Sequence, residues 1–457
     1  MDGGEAFLKT ASTPEGIGPV PAGRFFHFYA PLAATSLLLT ATNPLLAAAL
    51  ARSADPATAL AGYSVAFALC GVLYSPLLVV QQVTAKHMLE GGSFHPFRRF
   101  AVLMGVIFTA LAAVIAFTPL GGWVFGELIG VTNGVYREAT GAMRILWPVP
   151  FLTAMRAAHQ GRLVAGHRTR PIAHATALRT VALALVVLVL VVGGGGAVAG
   201  AIAFLVGLVL ETAWVWFAPA DPPPPSRHTA QEMKDLDREL LKFSAPLMVN
   251  VLLWWTTPLI INGVLARTPE PAIALAAFAV IEAIAWFVAA PTGQLQHASL
   301  ALVDCPESHR SVRRWGLVVA MASAAVLGLI ALPGVRETVL RMVFDLEPRL
   351  LAEVAKALPL AVLYPILYAH RQYYQGLFIR AGRPGLVGLG AMVRVAALVG
   401  LAFATFHPFC HHGVLLGVGL AVAGLVVEDL FLELFSHRSA LPRLRQTPLI
   451  PEEALAP

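Results

Sequence analysis

Two arginines, each four residues before a glutamine, occur inside long apolar segments where a cation is costly. Arg156 precedes Gln160 and Arg371 precedes Gln375, so in a helix each pair lies on one face. Tyr368 lies on the same face as Arg371. A planar guanidinium donates two parallel hydrogen bonds to carboxylate or phosphate. These five residues are therefore candidates for an anion-binding site, and the alternative is that the arginines form buried ion pairs or reach the inner membrane interface.

Two further arginines have acidic residues on the following apolar segment at similar depth. For Arg179 the acidic residue on the following segment is Glu211, and for Arg394 it is Glu428. A charge in low dielectric needs a partner. The sequence therefore predicts two equivalent structural ion pairs, Arg179 with Glu211 and Arg394 with Glu428.

One carboxylate lies near the middle of an apolar segment. Glu282 precedes Trp286 by one helical turn, and its counterpart in the other half of the chain is Phe67. A buried carboxylate without a fixed partner can carry a proton. Glu282 is thus the candidate for proton coupling, with pairing to an intramembrane arginine as the alternative.

The remaining polar side chains suggest no cofactor. Asp429 and Glu433 lie near the inner end of the last apolar segment, where we expect them to reach water or cytosolic arginines. The histidines and cysteine between His407 and His412 lack an established ligand spacing, and we predict no metal site there. The sequence contains no G-x-x-x-x-G-K-[ST], H-E-x-x-H or G-x-S-x-G motif, so neither ATP-driven pumping nor hydrolase activity is indicated.

Composition places all these residues in a membrane protein. Of the 457 residues, 57% are hydrophobic and 13% are charged, whereas a soluble chain carries about 25% charge. The net charge of +6 comes from basic residues scattered between apolar segments, which argues against nucleic-acid binding. The three cysteines are far apart, which excludes a disulfide scaffold. The fold class predicted is an all-α polytopic membrane protein.

Twelve segments are long and apolar enough to span a bilayer as helices. They cover residues 25–50, 58–84, 99–119, 138–166, 172–192, 196–218, 240–265, 272–301, 313–332, 350–380, 385–405 and 411–436.

The distribution of basic residues predicts the orientation. With the N-terminus inside, inner loops and tails hold twenty arginines and lysines and outer loops hold seven. The positive-inside rule then places both termini in the cytoplasm, with tails at 1–24 and 437–457 and a linker at 219–239. Helix is expected within residues 231–243, lying along the inner membrane surface. Abundant arginine and alanine are typical of bacterial genomes rich in G and C, so we expect a bacterial inner membrane.

The two halves of the chain repeat each other at a shift of 215 residues. The shift aligns Arg156-Gln160-Gly161 with Arg371-Gln375-Gly376, and Arg179 with Arg394. Six spans per half give both halves the same orientation, so two bundles, 25–218 and 240–436, are related by an axis along the membrane normal. This arrangement favours a transporter with alternating access, although a duplicated channel or scaffold has the same pattern.

Short motifs in both halves resemble a known superfamily. Phe28-Tyr29-Ala30-Pro31-Leu32, and its partner from Phe243 to Leu247, look like the MATE-like architecture of the MOP flippase superfamily. Pro258-Leu259-Ile260-Ile261-Asn262 and Pro291-Thr292-Gly293 are similar to the progressive ankylosis (ANK) family. The resemblance implies twelve spans and export of anionic metabolites such as citrate, nucleotides and pyrophosphate.

Drug exporters of the MATE family typically carry acidic cation-binding residues in the first or seventh span. Here those spans contain Asn43, Asn250 and Asn262 but no aspartate or glutamate. The sequence therefore predicts a monomeric secondary transporter, not an enzyme, that exports a small organic or phosphorylated anion and contacts membrane lipids. The alternatives are a proton-coupled multidrug exporter of the MATE type and a membrane enzyme acting on a lipid phosphate.

Overall fold

The computed structural model describes residues 18–50, 53, 55–90, 93–128, 133–192, 195–219, 230–265, 267–344 and 348–441. Within these ranges the chain forms helices and turns and contains no strand. Most of both expected tails, and residues 220–229 of the linker, lie outside the described residues.

The described residues of the first half of the chain contain nine α-helices, which we call the N-lobe. They are α1 (Ala22–Leu50), α2 (Pro56–Tyr74), α3 (Val79–Leu89), α4 (Phe94–Phe117), α5 (Pro119–Trp123), α6 (Asn133–Leu146), α7 (Val149–Ala165), α8 (Arg170–Val192) and α9 (Ala197–Phe217).

The second half repeats this order as the C-lobe. Its helices are α10 (Ala230–Leu265), α11 (Pro271–Ala289), α12 (Leu295–Leu302), α13 (Pro306–Ala331), α14 (Val335–Phe344), α15 (Pro348–Ala361), α16 (Tyr364–Arg380), α17 (Pro384–Phe409) and α18 (Gly413–Phe435). The helix expected for residues 231–243 is continuous with the seventh span inside α10, rather than a separate surface helix.

Among the described residues, nine helical stretches are long and apolar enough to cross a membrane, or ten when α15 and α16, bent by 41°, count as one span. One stretch, Pro384–Arg438, contains both α17 and α18. Together with α6 and α7, which are more highly charged, these helices account for the twelve predicted spans. The chain is a multi-pass membrane protein.

Proline interrupts the second span of each lobe. Ser75–Leu78 forms a short 3₁₀ turn between α2 and α3, and Ala290–Gln294 forms one between α11 and α12. Pro76 and Pro291 lie in these turns, and proline cannot donate the backbone hydrogen bond that would continue an α-helix. The two breaks therefore occur at equivalent positions of the two lobes.

Glycine brings the arginine-bearing helix of each lobe against the end of the broken span. A Cβ added to Gly161 on α7 would lie 2.5 Å from the Gln81 carbonyl oxygen on α3. A Cβ at Gly376 on α16 would lie 2.2 Å from the Gln296 carbonyl oxygen on α12. Only glycine permits this approach, which explains why a glycine follows the repeated glutamine in both halves.

The lobes pack together at one end of the molecule, where α3, α9, α12 and α18 end. One apolar cluster there contains residues of both lobes, including Phe28 and Val83 from the N-lobe and Leu295 and Tyr374 from the C-lobe. At the other end each lobe has its own apolar cluster. We call the shared end the closed end and the other the open end.

A strap formed by residues 18–20, just before α1, crosses from the N-lobe to the C-lobe at the closed end. The Val20 backbone N–H donates to Ser311 Oγ at 2.9 Å, and Trp315 Nε1 donates to the Val20 carbonyl at 3.1 Å. Ser311 and Trp315 belong to α13, so the strap ties α1 to the other lobe by backbone hydrogen bonds.

Candidate functional site

A fully buried glutamate in the N-lobe is shared by two arginines. Arg156 Nη1 on α7 donates to both oxygens of Glu211, at 3.0 and 3.1 Å. Arg179 Nη1 on α8 donates to Oε2 at 2.9 Å. Because Glu211 belongs to α9, this one carboxylate holds three helices together.

Neutral donors complete the surroundings of the same carboxylate. Thr176 Oγ1 donates to Glu211 Oε1 at 3.1 Å, and Gln160 Nε2 donates to it at 3.4 Å. A buried carboxylate remains ionised only when such donors replace its hydration. The N-lobe cluster, Arg156, Gln160, Thr176, Arg179 and Glu211, meets this condition.

The C-lobe repeats the arrangement around Glu428 on α18, which is also fully buried. Arg371 Nε lies 2.8 Å from Glu428 Oε1, and Arg394 Nε lies 2.7 Å from Oε2. Gln375 Nε2 donates to Oε1 at 3.2 Å. We call Arg371, Gln375, Arg394 and Glu428 the C-lobe cluster.

Helix α10 supplies a further layer to the C-lobe cluster. Arg371 Nη2 donates to Asn250 Oδ1 at 2.9 Å, and Arg394 Nη1 donates to Thr257 Oγ1. The ring of Trp254 lies under both cations, with its centroid 4.4 Å from Arg371 Cζ and 5.0 Å from Arg394 Cζ. These contacts connect both arginines to the seventh span by hydrogen bonds and cation–π attraction.

Aromatic side chains adjoin the C-lobe cluster on the side away from the closed end. Tyr368 packs against Trp254, Trp286 and Tyr364, with ring centroids 5.3, 5.4 and 5.9 Å away. Its hydroxyl accepts a hydrogen bond from Gln372 Nε2 at 2.9 Å. Tyr368 is buried and packs against Trp254, the ring that also contacts both arginines.

Each cluster has one more positive than negative charge, because two guanidiniums share one carboxylate. Some of their donors are also unused. Arg156 Nε, Arg179 Nε and Arg394 Nη2 are buried and make no hydrogen bond to any described residue. Each cluster therefore carries a net charge of +1 and buried guanidinium N–H groups that make no hydrogen bond to a described residue.

The structure brings together residues that the sequence analysis assigned to different roles. Arg179 contacts Glu211 and Arg394 contacts Glu428, as the spacing suggested. Arg156 and Arg371, which were assigned to an anion site, contact these carboxylates too. Arg156 contacts Glu211, and Arg371 contacts Glu428. Each lies inside its own lobe, and no contact joins the two arginines within the described part of the chain.

The polar and aromatic face of α10 was missed. Asn250, Trp254 and Thr257 are spaced by four and three residues, which places them on one side of a helix. This spacing in an apolar span was the signal available from the sequence.

Glu282 on α11 has an exposed side chain. No ion pair of Glu282 is found with any residue that the structure describes, so the alternative pairing with an arginine is not observed. Trp286, one turn further along α11, packs on Tyr368 and links this part of α11 to the C-lobe cluster.

Comparison with known proteins gives matches only in structure. No protein-family model and no curated protein matches the sequence. The eukaryotic MATE transporter AtDTX14 is 17% identical and matches with a TM-score of 0.71, covering 93% of this chain and 97% of that one. A mutant of the Vibrio cholerae MATE transporter VcmN is 15% identical with a TM-score of 0.73, covering 93% and 98%.

A MOP superfamily transporter from Pyrococcus furiosus is 16% identical with a TM-score of 0.71, and the match covers 95% of this chain and 100% of that one. The chain therefore has the fold of the MATE transporters, which have twelve transmembrane helices in two bundles. The fold class predicted from the sequence is confirmed.

Proposed function

We propose that the protein is a secondary active transporter that exports a small organic or phosphorylated anion by alternating access. The division into two lobes of equal topology supports this mechanism. The lobes share an apolar cluster at the closed end and have separate clusters at the open end. A transport cycle then requires the closed end to open while the lobes meet at the other end.

The net charge of the two clusters is the observation that supports an anionic substrate. Two guanidiniums share one carboxylate in each lobe, so each of the two clusters carries one more positive than negative charge. Water or a mobile anion must compensate them, because isolated buried charge is costly. A carboxylate or phosphate substrate supplies that compensation and accepts hydrogen bonds from the unused guanidinium donors.

Two likenesses motivate the choice of an anionic substrate in this proposal. The sequence resemblance to the ANK family implies citrate, nucleotides or pyrophosphate. For the Pyrococcus furiosus transporter of this fold, a reverse polarity of the binding pocket suggests a different function. A binding region with arginine clusters on α7, α8, α16 and α17, and without acidic residues in the first and seventh spans, would be a departure of the same kind.

Proton coupling is assigned to Glu282 in this proposal. Its carboxylate has no ion-pair partner among the described residues and lies on the open-end side of the aromatic group around Tyr368. A proton taken up there would accompany the anion through the cycle. The proposal further places the protein as a monomer in the bacterial inner membrane, with both termini in the cytoplasm.

Proteoliposome transport tests the substrate class. Purified protein is assayed with radiolabelled citrate, with a nucleotide, and with a cationic dye, and we expect transport of one of the anions. Arg371→Ala should reduce that transport because it removes the excess charge of the C-lobe cluster, and the Arg156→Ala, Arg371→Ala double variant should abolish it. Arg349→Ala is the matched control, since Arg349 is exposed and pairs with Glu270 on the surface.

Undiminished anion transport in the double variant would overturn the proposal. Transport of the dye alone would support the second candidate, a proton-coupled multidrug exporter. That candidate is favoured by one feature, the exposed carboxylate of Glu282, which lies one helical turn before Trp286, whose ring packs on Tyr368.

A further inference from the structure

A second acidic residue on α18 is buried without a hydrogen bond. Asp429 is 5% exposed, and neither of its carboxylate oxygens is hydrogen-bonded to a described residue. Its nearest partner is His370 on α16, whose Nδ1 lies 3.5 Å from Asp429 Oδ1. This nitrogen also makes no hydrogen bond to a described residue. The expectation that Asp429 reaches water is wrong, because its side chain turns toward α16. A buried, unsatisfied carboxylate requires an explanation.

The pair is connected to the closed end through Glu433, one turn further along α18. Glu433 Oε2 lies 3.8 Å from His370 Nε2. Its other oxygen accepts hydrogen bonds from Arg313 at 3.0 Å and from the Tyr374 hydroxyl at 3.4 Å. Arg313 and Glu433 are partly exposed. The neighbouring side chains of Glu433, His370 and Asp429 therefore form a route from the surface into the lobe.

A cavity of about 120 Å³ adjoins this route and is lined by His370, Arg313 and Tyr373 among apolar residues. Its other lining residues are apolar, so size alone does not make it a water site. Access to His370 from the closed end is by way of the partly exposed Glu433.

Only the C-lobe carries these groups. When Arg371 is aligned with Arg156, His370 corresponds to Met155. When Glu428 is aligned with Glu211, Asp429 corresponds to Thr212 and Glu433 to Trp216. None of the three N-lobe residues titrates. The two arginine clusters are duplicated, but these three side chains are not. The buried histidine of the N-lobe, His159 on α7, lies at a different position and stacks on Trp216.

We propose that Asp429 and His370 together bind one proton, which enters from the closed end by way of Glu433 and controls the net charge beside Arg371. Without the proton, a neutral imidazole and a carboxylate carry −1. With it, the pair carries no net charge, whether the proton is on the imidazole or on the carboxyl group. This site is distinct from Glu282, which lies closer to the open end.

The charged groups around the pair define its electrostatics. Helix α16 contributes His370 and Arg371, and α18 itself contributes Glu428 and Glu433. Arg394 from α17 acts through Glu428, and Arg313 from α13 acts through Glu433. Helix α10 presents the neutral Asn250 and Thr257. Glu282 on α11 and the Glu353–Lys356 pair on α15 lie toward the open end.

The consequence for transport rests on the proposed function. A deprotonated pair carries −1 and cancels the +1 of the C-lobe cluster, whereas a protonated pair leaves the cluster at +1. The anion and the proton therefore bind together. A unit change of charge within one or two side-chain lengths changes anion affinity on the order of tenfold.

Infrared difference spectroscopy tests proton binding without any substrate. Purified protein in nanodiscs is stepped from about pH 5 to pH 8, the range in which histidine usually titrates. We expect wild-type spectra to contain carboxyl and imidazole bands that Asp429→Asn removes and that His370→Gln shifts. Glu353→Gln, which alters a surface carboxylate at the open end, should leave these bands unchanged.

Spectra of the Asp429 and His370 variants identical to the wild type would overturn the proposal. Bands that appear only when sodium is added would also overturn it, because the site would then bind a metal cation. Citrate binding measured by calorimetry is a separate arm. We expect affinity to fall on the order of tenfold as pH rises in the wild type and to fall by less in Asp429→Asn. If citrate does not bind at all, the substrate proposal fails, while the infrared result still decides the proton site.

Discussion

Glu428→Gln should destabilise the C-lobe more than the loss of either arginine that Glu428 holds. The carboxylate contacts Arg371 and Arg394 at 2.8 and 2.7 Å. Glutamine has the same shape but leaves two cations without a counterion. Arg371→Gln or Arg394→Gln instead leaves one arginine paired with Glu428, so the net charge of the cluster becomes zero.

The magnitude follows from the geometry. Both guanidinium carbons lie within 5.0 Å of the Trp254 centroid, so the cations remain close after the carboxylate is removed. At a separation of about 6 Å and an effective dielectric constant of about 20, they repel by about 3 kcal/mol. Breaking a buried ion pair costs about 3 to 5 kcal/mol. Loss of one arginine should cost about 1 to 2 kcal/mol, through hydrogen bonds and cation–π attraction.

Thermal melting of the purified protein, followed by fluorescence-detected gel filtration, provides the assay. For a lobe of roughly 200 residues, about 2 to 4 °C corresponds to 1 kcal/mol. Glu428→Gln should therefore lower the melting temperature by about 6 to 20 °C, and the arginine variants by about 2 to 8 °C. Glu211→Gln should reproduce the effect in the N-lobe, and Glu353→Gln is the surface control. An Arg394→Gln variant as unstable as Glu428→Gln would refute the shared carboxylate and indicate a one-to-one pair.

Three other predictions concern packing, coupling and topology. Gly376→Ala should lower the free energy of unfolding by about 1 to 3 kcal/mol, since the added Cβ would lie 2.2 Å from the Gln296 carbonyl oxygen. The control is Gly400→Ala, which should be tolerated because a Cβ there would meet open space. Equal melting temperatures of the two variants would contradict the close approach of α16 to α12. Glu282→Gln should leave substrate binding largely intact and remove the part of the pH-gradient dependence of transport that Glu282 carries, leaving the part that Asp429 and His370 carry; an unchanged pH response would remove Glu282 from the mechanism. A cysteine placed at Ser226, outside the described residues, should react with an impermeant thiol reagent only from the cytoplasmic side; labelling from outside would overturn the proposed orientation.

Sequence reasoning identified the spans and the repeat because hydropathy and a constant shift are properties of the chain itself. It also placed Arg179 and Glu211 at matching depth. It did not show that Arg156 reaches the same carboxylate, because spacing along one helix reports face and depth but not which side chains of neighbouring helices meet. Asp429 illustrates the same gap, since its burial depends on the position of His370 on another helix.

The strap of residues 18–20 has a practical consequence for any segment attached to the N-terminus. Val20 uses both its backbone N–H and its carbonyl to bind α13 of the other lobe, so the chain entering α1 lies at the junction between the lobes. In the proposed transport cycle, a bulky protein fused close to this point would push against the junction. The same protein fused after α18 would be attached to one lobe only. Reporter fusions should therefore be made at the C-terminus, and an N-terminal fusion should need a long flexible spacer to keep the same turnover rate.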